Sequence, residues 1–341
     1  MTEQQLTIGS PHSQDYSYLA HGENGLPFQT AEHFTSPTGA AISLRHAVAR
    51  GKPRAAIQIN HGLAEHSARY IGFAKRLAAA GFHVYAHDHR GHGETTAPDA
   101  PRGMFSVRGG AAKVLADVAA VNTHIHRVHS DLPIVIFGHS MGGLITLSHI
   151  LRHPETVDAA AIWNANFSAG AAGRLAQLIL KAERMLLGSD VPSHILPKLT
   201  FRAWGRGIPN RRTDFDWLSR DPTEVDAYIA DSHCGWDASV GMWLDVFDFV
   251  FYGARDGNFA KVRRDMPLHL VGGEKDPATD NGKAVAALVQ RMQAMGFRNV
   301  TERIYPETRH ESLNEINRDA ITDDFIAWLN KIVEQSPRYP R

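Results

Sequence analysis

The sequence predicts an α/β fold in which helices flank a mostly parallel central sheet, with a helical cap inserted into the domain. One observation is that β-rich stretches alternate with stretches of helical period, which is typical of parallel strands joined by crossover helices. A second observation is that this alternation stops between residues 166 and 255 and then resumes. A chain of 341 residues is long enough for one large domain with such an insertion.

The amino-terminal part of the chain is predicted to supply the first strands of the sheet. Residues 1–25 have neither a helical nor a strand period, so we interpret them as a loosely ordered leader. Strands are predicted at residues 41–47, 54–60, 83–87, 133–137 and 159–163. Helices are predicted at residues 67–80, 110–128 and 141–153. Residues 26–165 therefore form the first part of the predicted core domain.

The helical cap is predicted over residues 166–255. Apolar residues over 174–187, including Leu178, recur at the i, i+3, i+4, i+7 spacing of an amphipathic helix. The same spacing over 239–252 is unusually aromatic and includes Phe247. Packing of these faces against the core is the favoured interpretation for most of the residues. The alternative is that they line an acyl-chain groove or touch a membrane surface.

After the cap, the alternation of strands and helices resumes. Strands are predicted at residues 267–271 and 300–304, and helices at 281–295 and 320–334. Residues 256–341 therefore complete the α/β core that residues 26–165 begin.

Five basic residues of the cap fall in a stretch without any acidic residue. They are Lys198, Arg202, Arg206, Arg211 and Arg212. A solvated basic face is the favoured interpretation of this stretch. A binding site for the phosphate of a lysophospholipid is the alternative, because guanidinium groups pair well with phosphate.

Charge and cysteine content exclude several classes of function. The 36 Lys and Arg balance 36 Asp and Glu, so no basic excess is available to bind a phosphate backbone, and nucleic acid is not an expected partner. The single cysteine, Cys234, allows neither an internal disulfide nor a multi-thiolate zinc site, so we expect a cytoplasmic protein. The amino terminus lacks the apolar segment of a signal peptide, and nowhere do about eighteen apolar residues run uninterrupted. We therefore expect neither secretion by that route nor a membrane span.

Ser140 is the candidate nucleophile. It is the centre of a G-x-S-x-G pattern over residues 138–142, directly after the predicted strand 133–137 and at the start of the predicted helix 141–153. A strand-to-helix turn flanked by glycines is the context of a nucleophile elbow, which exposes the serine hydroxyl. The alternative interpretation is a Gly-rich turn with a helix-capping serine.

A serine nucleophile requires a base and a carboxylate that orients the base, and both follow in the chain. Asp276 follows the predicted strand 267–271 and is the predicted carboxylate, with an Asp-Pro turn as the alternative. Its neighbour Asp280 is better explained as the cap of the next helix. His310 lies in the loop after the last predicted strand and is the predicted base among 20 histidines.

Acyl transfer also requires two aimed N–H groups that stabilise the oxyanion. The Met141 N–H follows the nucleophile directly. The Leu63 N–H follows the predicted strand 54–60 and the turn His61-Gly62. An ordinary turn is an equally good interpretation of His61-Gly62 taken alone.

At this point the sequence resembles a known family over nearly everything from about Phe34 onward. It is similar to the α/β-hydrolases and, within them, to the monoacylglycerol lipase and lysophospholipase-like branch grouped with serine aminopeptidases. The motifs that carry the resemblance are HGLAEHSARY at 61–70, DHRGHG at 88–93, GHSMGG at 138–143 and RHE at 309–311. The segment 221–235 also looks like bacterial members.

The resemblance implies an α/β-hydrolase fold and assigns roles to five residues. The nucleophile is Ser140, the acid is Asp276, the base is His310, and the oxyanion donors are Leu63 and Met141. No cofactor and no metal are implied. A serine in the nucleophile position argues against the related dehalogenases and epoxide hydrolases, which use an aspartate there.

The chain departs from the family pattern in one loop. Ala64 and Ala68 stand where many members have glycine. This difference implies a slightly stiffer oxyanion loop.

The expected function is a serine hydrolase that cleaves carboxylic esters of lipid-like substrates, such as monoacylglycerol or lysophospholipid, through an acyl-enzyme intermediate. The first alternative is an aminopeptidase-like amide or peptide hydrolase with the same triad. A metallo-hydrolase that uses His87, His89 and His92 is a second alternative, although Gly91 replaces the aspartate of the H-x-H-x-D-H motif. A non-catalytic receptor for a small ligand is the third. The sequence does not specify an oligomeric state.

Overall fold

A single mixed sheet of eight strands forms the centre of the computed structural model, which describes residue 28, residues 30–168 and residues 170–335. The leader predicted over residues 1–25 lies outside the described residues. The strands are β1 (Ala31–Thr35), β2 (Ala41–Ala47), β3 (Ala55–Asn60), β4 (Phe82–His87), β5 (Ile134–His139), β6 (Ala159–Trp163), β7 (Leu268–Gly273) and β8 (Val300–Tyr305). Their order across the sheet is β1-β2-β4-β3-β5-β6-β7-β8.

The sheet is mostly parallel, as predicted. Strands β3 to β8 pair in parallel, whereas β1 and β2 are antiparallel to their neighbours. The register places Asn60 opposite Gly138, and His139 opposite Trp163. The loops that follow β3 and β5 therefore leave the sheet side by side at its carboxyl edge, where open α/β sheets bind ligands.

Ten helices cover the sheet or lie in the inserted segment of the described chain. They are α1 (Ile71–Ala79), α2 (Gly110–Val128), α3 (Met141–Ile150), α4 (Ala171–Leu187), α5 (Leu196–Leu199), α6 (Phe201–Arg206), α7 (Pro222–Ala230), α8 (Val240–Gly253), α9 (Lys283–Ala294) and α10 (Arg318–Gln335). The predicted helix 67–80 begins as a 3-10 turn over Ser67–Tyr70 before α1.

Each face of the sheet has its own apolar core. On β3, Ile57 and Ile59 pack on one face with residues of α1 and α10. Ala56 faces the other side, where residues of α2, α3, α8 and α9 pack. Every residue of β3 is buried, as expected for a parallel strand covered on both faces.

Two kinds of element were missed by the sequence analysis. Strand β1 is an antiparallel edge strand whose residues are all at least partly exposed, so it carries no apolar alternation. The short helices α5, α6 and α7 in the inserted segment were not predicted, because four to nine residues give too few turns for a periodic signal.

The two long helices of the inserted segment differ in how they use their apolar residues. In α8, Trp243 is buried, as packing against the core predicts. In α4, packing is the wrong interpretation for the outer residues, since Leu178, Met185 and Leu186 are 62%, 85% and 82% exposed. The face of α4 that contacts α8 carries the buried Leu180. None of the described helices is both long and apolar enough to cross a membrane.

Candidate active site

Ser140 occupies a strained turn between β5 and α3. Its φ is 55° and its ψ is −120°, in the region that L-residues rarely adopt. A Cβ added to Gly142 would lie 2.0 Å from the Asn60 carbonyl oxygen, and one added to Gly138 would lie 2.1 Å from the Gly142 carbonyl oxygen. Only glycine fits both positions, which explains why the G-x-S-x-G pattern accompanies this turn.

His310 joins Ser140 to Asp276 in one hydrogen-bonded chain. Its Nε2 lies 2.9 Å from Ser140 Oγ, and its Nδ1 lies 2.9 Å from Asp276 Oδ1. Asp276 follows β7 and His310 follows β8, so both reach the carboxyl edge of the sheet where Ser140 emerges from β5. The structure therefore brings together the three residues that the sequence analysis singled out.

Asp276 is a fully buried carboxylate with several donors. Besides His310, it accepts hydrogen bonds from the Ala278 N–H at 3.0 Å, Asn164 Nδ2 at 3.1 Å and Thr279 Oγ1 at 2.9 Å. Burial alone would raise the pKa of Asp276, but the charge of His310 and these hydrogen bonds hold that pKa below its ordinary value. The group is therefore an anion suited to orienting an imidazole.

Asp280 is exposed and does not reach His310. Its Oδ2 pairs with Lys283 Nζ at 3.5 Å on the surface. The predicted capping role of Asp280 is wrong, because α9 begins at Lys283 and its N-cap residue is Gly282. The tight turn after β7 ends in residues with positive φ, which moves the start of the helix beyond Asp280.

The β3–α1 loop, residues 61–66, lies against Ser140. A Cβ added to Gly62 would lie 3.4 Å from Ser140 Cβ. Neither the Leu63 N–H nor the Met141 N–H has an acceptor among the described residues. Two unpaired donors beside a nucleophile are what an oxyanion site requires, and their role stays a prediction.

Ala64 gives the β3–α1 loop its strained backbone. Its φ is 56°, in the left-handed region that favours glycine, so the family's preference for glycine has a backbone cause here. The Ala64 carbonyl oxygen accepts hydrogen bonds from the Gly235 N–H and from the Tyr228 hydroxyl, each at 3.0 Å. The inserted segment therefore helps to hold this loop.

A buried ionic network behind Ser140 was missed by the sequence analysis. Arg69 Nη1 lies 2.7 Å from Glu65 Oε2, and the Arg69 guanidinium makes a bidentate pair with Glu311 at 2.6 and 2.7 Å. Glu65 also accepts a hydrogen bond from the Gly62 N–H at 2.5 Å. The network therefore holds the β3–α1 loop in place. Glu65, Arg69 and Glu311 also line a cavity of about 360 Å³.

His139 links this network to the backbone of His310. Its Nε2 donates to the His310 carbonyl oxygen at 2.9 Å, and its Nδ1 lies 3.6 Å from Glu65 Oε1. Burial alone would lower the pKa of His139, but Glu65 raises it above its ordinary value. Glu65, Arg69 and His139 therefore connect the β3–α1 loop to the loop that carries His310.

Trp217 is the tryptophan of the inserted segment that reaches the triad. Its ring centroid lies 4.9 Å from that of His310, and its carbonyl oxygen accepts a hydrogen bond from the His310 N–H at 3.3 Å. Trp243 lies one aromatic ring further away, since both rings contact Phe201. Trp236 instead packs against His92, with a centroid distance of 4.8 Å.

His87, His89 and His92 do not form a metal site in the described structure. Two other groups there bring three potential ligand atoms within 4.8 Å of one another, and none of these three histidines belongs to either group. Asp88 instead closes a tight loop, because it accepts hydrogen bonds from the backbone N–H groups of Ser67 and Glu94, both at 2.8 Å.

Most of the basic stretch of the inserted segment is paired with acids from other parts of that segment. Arg202 pairs with Asp237 at 3.9 Å, Arg211 with Asp214 at 3.5 Å and Arg212 with Asp226 at 2.6 Å. All three pairs are exposed or half-buried, so the stretch is a solvated face, as favoured from the sequence.

Comparison with known proteins identifies the family. The model of the hydrolase family described as serine aminopeptidase, S33, matches residues 51–317. The chain belongs to this family. It is also 30% identical to the monoacylglycerol lipase of Mycolicibacterium smegmatis, over 81% of this chain and 88% of that protein. It is 26% identical to the human monoglyceride lipase, over 86% of this chain and 90% of that protein.

Solved structures show that this member of the serine aminopeptidase, S33, family has the α/β-hydrolase fold. A thermostable carboxyl esterase from Bacillus coagulans, solved in complex with glycerol, superposes with a TM-score of 0.81 at 24% identity and covers 89% of this chain and 98% of its own. A soluble variant of the monoglyceride lipase from Saccharomyces cerevisiae gives a TM-score of 0.69 at 16% identity and covers 91% and 97%. The predicted fold class is confirmed.

Proposed function

We propose that this protein is a serine hydrolase that cleaves carboxylic esters of lipid-like substrates through an acyl-enzyme intermediate. The observation that carries the proposal is the hydrogen-bonded chain from Ser140 Oγ through His310 to Asp276, with 2.9 Å at each step. Similarity to monoacylglycerol lipases over more than four-fifths of the chain supports the lipid ester as substrate.

In the first half-reaction, Ser140 Oγ attacks the acyl carbonyl carbon while His310 Nε2 takes the hydroxyl proton. Asp276 holds the imidazole in the tautomer that presents Nε2 to the serine and stabilises the imidazolium that forms. The N–H groups of Leu63 and Met141 stabilise the negative charge on the carbonyl oxygen. The ester C–O bond then breaks, and His310 returns its proton to the departing alcohol.

In the second half-reaction, water attacks the acyl-enzyme by the same route. His310 takes a proton from the water, the bond between Ser140 Oγ and the acyl carbon breaks, and the proton returns to the serine. Acid and alcohol are the products, and no cofactor or metal takes part.

Monoacylglycerol and lysophospholipid are the first substrate classes, because both present one acyl chain on a small polar alcohol. The name of the family favours a second candidate, an aminopeptidase-like amide hydrolase, since the same triad serves esters and amides. Access past Trp217 and the inserted segment decides between the candidates.

A panel of substrates on the purified chain tests the proposal. It includes a monoacylglycerol, a lysophospholipid, a simple acetate ester and an amino-terminal aminoacyl amide, with Ser140→Ala as the inactive control. We expect turnover of the lipid esters that depends on Ser140. Faster turnover of the aminoacyl amide than of every ester would replace the proposal with the aminopeptidase.

The outer face of α4 supports a second part of the proposal, contact with a lipid surface. Leu178, Met185 and Leu186 are mostly exposed, and three cationic residues of the same helix are exposed as well. These cations are Arg174, Lys181 and Arg184. An amphipathic helix with apolar and cationic exposed residues binds in the interface of an anionic bilayer.

Domain organisation and location complete the proposal. Residues 166–255 act as a helical cap on an α/β core made of residues 26–165 and 256–341. The absence of any possible internal disulfide, with Cys234 the single cysteine, supports a cytoplasmic location.

A further inference from the structure

Three potential metal ligands meet where the β3–α1 loop contacts the turn that follows α7. They are His66, Asp231 and Cys234, and one ligand atom from each lies within 4.8 Å of the other two. None of them belongs to the triad or to the oxyanion site. We propose that His66, Asp231 and Cys234 bind a divalent transition-metal ion of the zinc type.

The distance between two of the ligand atoms is close to the one expected in an occupied metal site. His66 Nε2 lies 2.8 Å from Asp231 Oδ2. Zinc binds nitrogen and oxygen ligands at about 2.0–2.2 Å, so two tetrahedral ligands stand about 3.4 Å apart. The pair therefore opens by less than about 1 Å to admit an ion, and a ligand atom of Cys234 lies within 4.8 Å of both.

Two of the ligands lie on a turn that is already fixed. The Asp231 side chain accepts a hydrogen bond from the His233 N–H at 2.8 Å, and the Cys234 N–H donates to the Asp231 carbonyl oxygen at 3.0 Å. The side chain of Asp231 is 32% exposed, whereas Cys234 is buried. An ion therefore enters past the carboxylate, and little ordering of the turn accompanies binding.

The donor types select the class of metal. A thiolate, an imidazole and a carboxylate suit Zn²⁺ and its transition-metal neighbours, whereas Mg²⁺ and Ca²⁺ prefer oxygen ligands alone. Binding forms a sulfur–metal bond and releases the thiol proton to solvent. The fourth position of a tetrahedral ion is open to water.

The ion would join two elements that already touch. Tyr228 and Gly235 both donate to the Ala64 carbonyl oxygen, and His66 lies two residues further along the same loop. A metal ion at this junction clamps the inserted segment to the loop that carries Leu63. Any effect of this clamp on catalysis rests on the proposed function. Binding of the ion does not depend on the proposed function.

A second group of potential metal ligands in the described structure consists of His46, His83 and His129, and it is the alternative site for the ion. Its rings are already engaged, since the Ala49 N–H lies 3.3 Å from His83 Nδ1 and the Tyr85 hydroxyl lies 2.8 Å from His129 Nε2. The His83 and His129 rings are also stacked at a centroid distance of 4.1 Å. This group contains no sulfur, which gives the two sites different optical signatures.

The test is titration of the metal-free full chain with Co²⁺ under anaerobic conditions. We expect one equivalent to bind, with the visible bands of tetrahedral cobalt and a thiolate-to-cobalt charge-transfer band in the near ultraviolet. That band identifies Cys234, because the chain has a single cysteine. Added Zn²⁺ should remove both features by displacement.

Three variants, each checked for folding by circular dichroism, complete the test. Cys234→Ser should abolish the charge-transfer band and weaken Co²⁺ binding by about 100-fold, since even loss of an outer partner costs about 10–100-fold. Asp231→Asn, which keeps the acceptor for the His233 N–H, should weaken binding by at least about 10-fold. His83→Ala is the matched control and should change neither the band nor the affinity.

Three results would overturn the proposal. They are a wild-type chain without a thiolate band, an unchanged affinity in Cys234→Ser or Asp231→Asn, and binding that is lost in His83→Ala. The readout is optical, so an inactive enzyme with this band would refute the proposed function and leave the metal site standing.

Discussion

The carboxyl edge of the sheet buries a charged side chain, whereas the outer face of α4 exposes apolar side chains to solvent. At the sheet edge, the charged Asp276 is fully buried, and its carboxylate makes hydrogen bonds with Asn164, the Ala278 N–H, Thr279 and His310. On α4, the apolar Met185 and Leu186 are 85% and 82% exposed. Burying a charge is unfavourable unless it is paired, and a large exposed apolar patch marks a surface that contacts another partner.

In the proposed function, residues at the sheet edge cleave the ester bond, and the helices of the inserted segment recognise the substrate or the lipid surface. The residues for bond cleavage follow the ends of β5, β7 and β8, so the sheet fixes their mutual geometry. The residues proposed for recognition lie on helices between β6 and β7, and the outer face of α4 is exposed in the described structure. Changes at the sheet edge should therefore alter turnover, whereas changes on α4 should alter which surface the enzyme meets.

The largest effect is expected from Ser140→Ala. Without a nucleophile only binding and oxyanion stabilisation remain, so kcat should fall by about 10⁴ to 10⁶. Labelling by a fluorophosphonate probe should disappear as well. The matched control is Ser148→Ala in α3, the helix that Ser140 precedes, because the Ser148 hydroxyl is buried and has no partner among the described residues. More than a few per cent of residual activity in Ser140→Ala would place the nucleophile elsewhere.

The next effect compares two carboxylates that are four residues apart. Asp276→Asn should lower kcat by about 10⁴, because the orienting carboxylate and its tautomer are lost. Asp280→Asn should leave kcat close to the wild-type value, since Asp280 is exposed and asparagine tolerates its φ of 50°. Steady-state kinetics on folded protein checks both, and the reverse order would make Asp280 the acid.

The sequence predicted the sheet edge well because its signals are local. Ser140 sits between a strand and a helix within one short pattern, and Asp276 and His310 each follow a strand directly. In a parallel sheet the carboxyl ends of neighbouring strands meet, so three local patterns were enough to place three residues together. Asp280 was set aside as a helix cap, which is wrong, and its exposed position is what separates it from His310.

Long-range pairing and solvent exposure were not predictable in this way. Glu65 and Arg69 lie in the motif at 61–70 and Glu311 in the motif at 309–311, but neither motif indicates that Arg69 pairs with a residue 242 positions away. The helical period of α4 identifies an apolar face without saying what covers it, and that face turned out to be exposed. Strand β1 had no signal because none of its residues is buried.

The third prediction tests whether the exposed face of α4 meets lipid. Leu178→Ser combined with Leu186→Ser should weaken partition onto phosphatidylcholine–phosphatidylglycerol vesicles by about 100-fold, since each leucine buried in lipid contributes at least about 1.5 kcal/mol. Turnover of a water-soluble acetate ester should not change, because both residues lie away from the triad.

The control for this double variant uses two exposed apolar residues elsewhere on the surface. Val107 and Val128 are 60% and 50% exposed, and Val107→Ser with Val128→Ser should bind vesicles like the wild type. Vesicle sedimentation measures the partition. Equal binding by all three proteins would mean that α4 does not contact lipid, and the contrast between the two regions would lose its functional meaning.

The smallest effect concerns a buried polar group at the sheet edge that, unlike Asp276, lacks partners. His87 ends β4, and neither of its ring nitrogens has a hydrogen-bond partner among the described residues. Burial, and next the nearby His61, lower the pKa of His87 to about 3. Because the unfolded chain binds a proton near the ordinary pKa of about 6.5, the stability tied to this group is fully present above that pH. It is lost as the pH falls from about 6.5 towards 3.

His87→Leu should therefore flatten the acid side of the stability profile. A histidine that stays neutral in the fold loses about 1.4 kcal/mol of unfolding free energy per pH unit below about 6.5, and leucine loses none. Urea unfolding near pH 7 and near pH 5.5 should show wild type losing about 1.4 kcal/mol more than the variant. His153→Leu, at a half-exposed ring, should follow the wild type. A wild-type slope in His87→Leu would mean that the folded chain protonates His87, so that even an unpaired imidazole at this edge accommodates a charge.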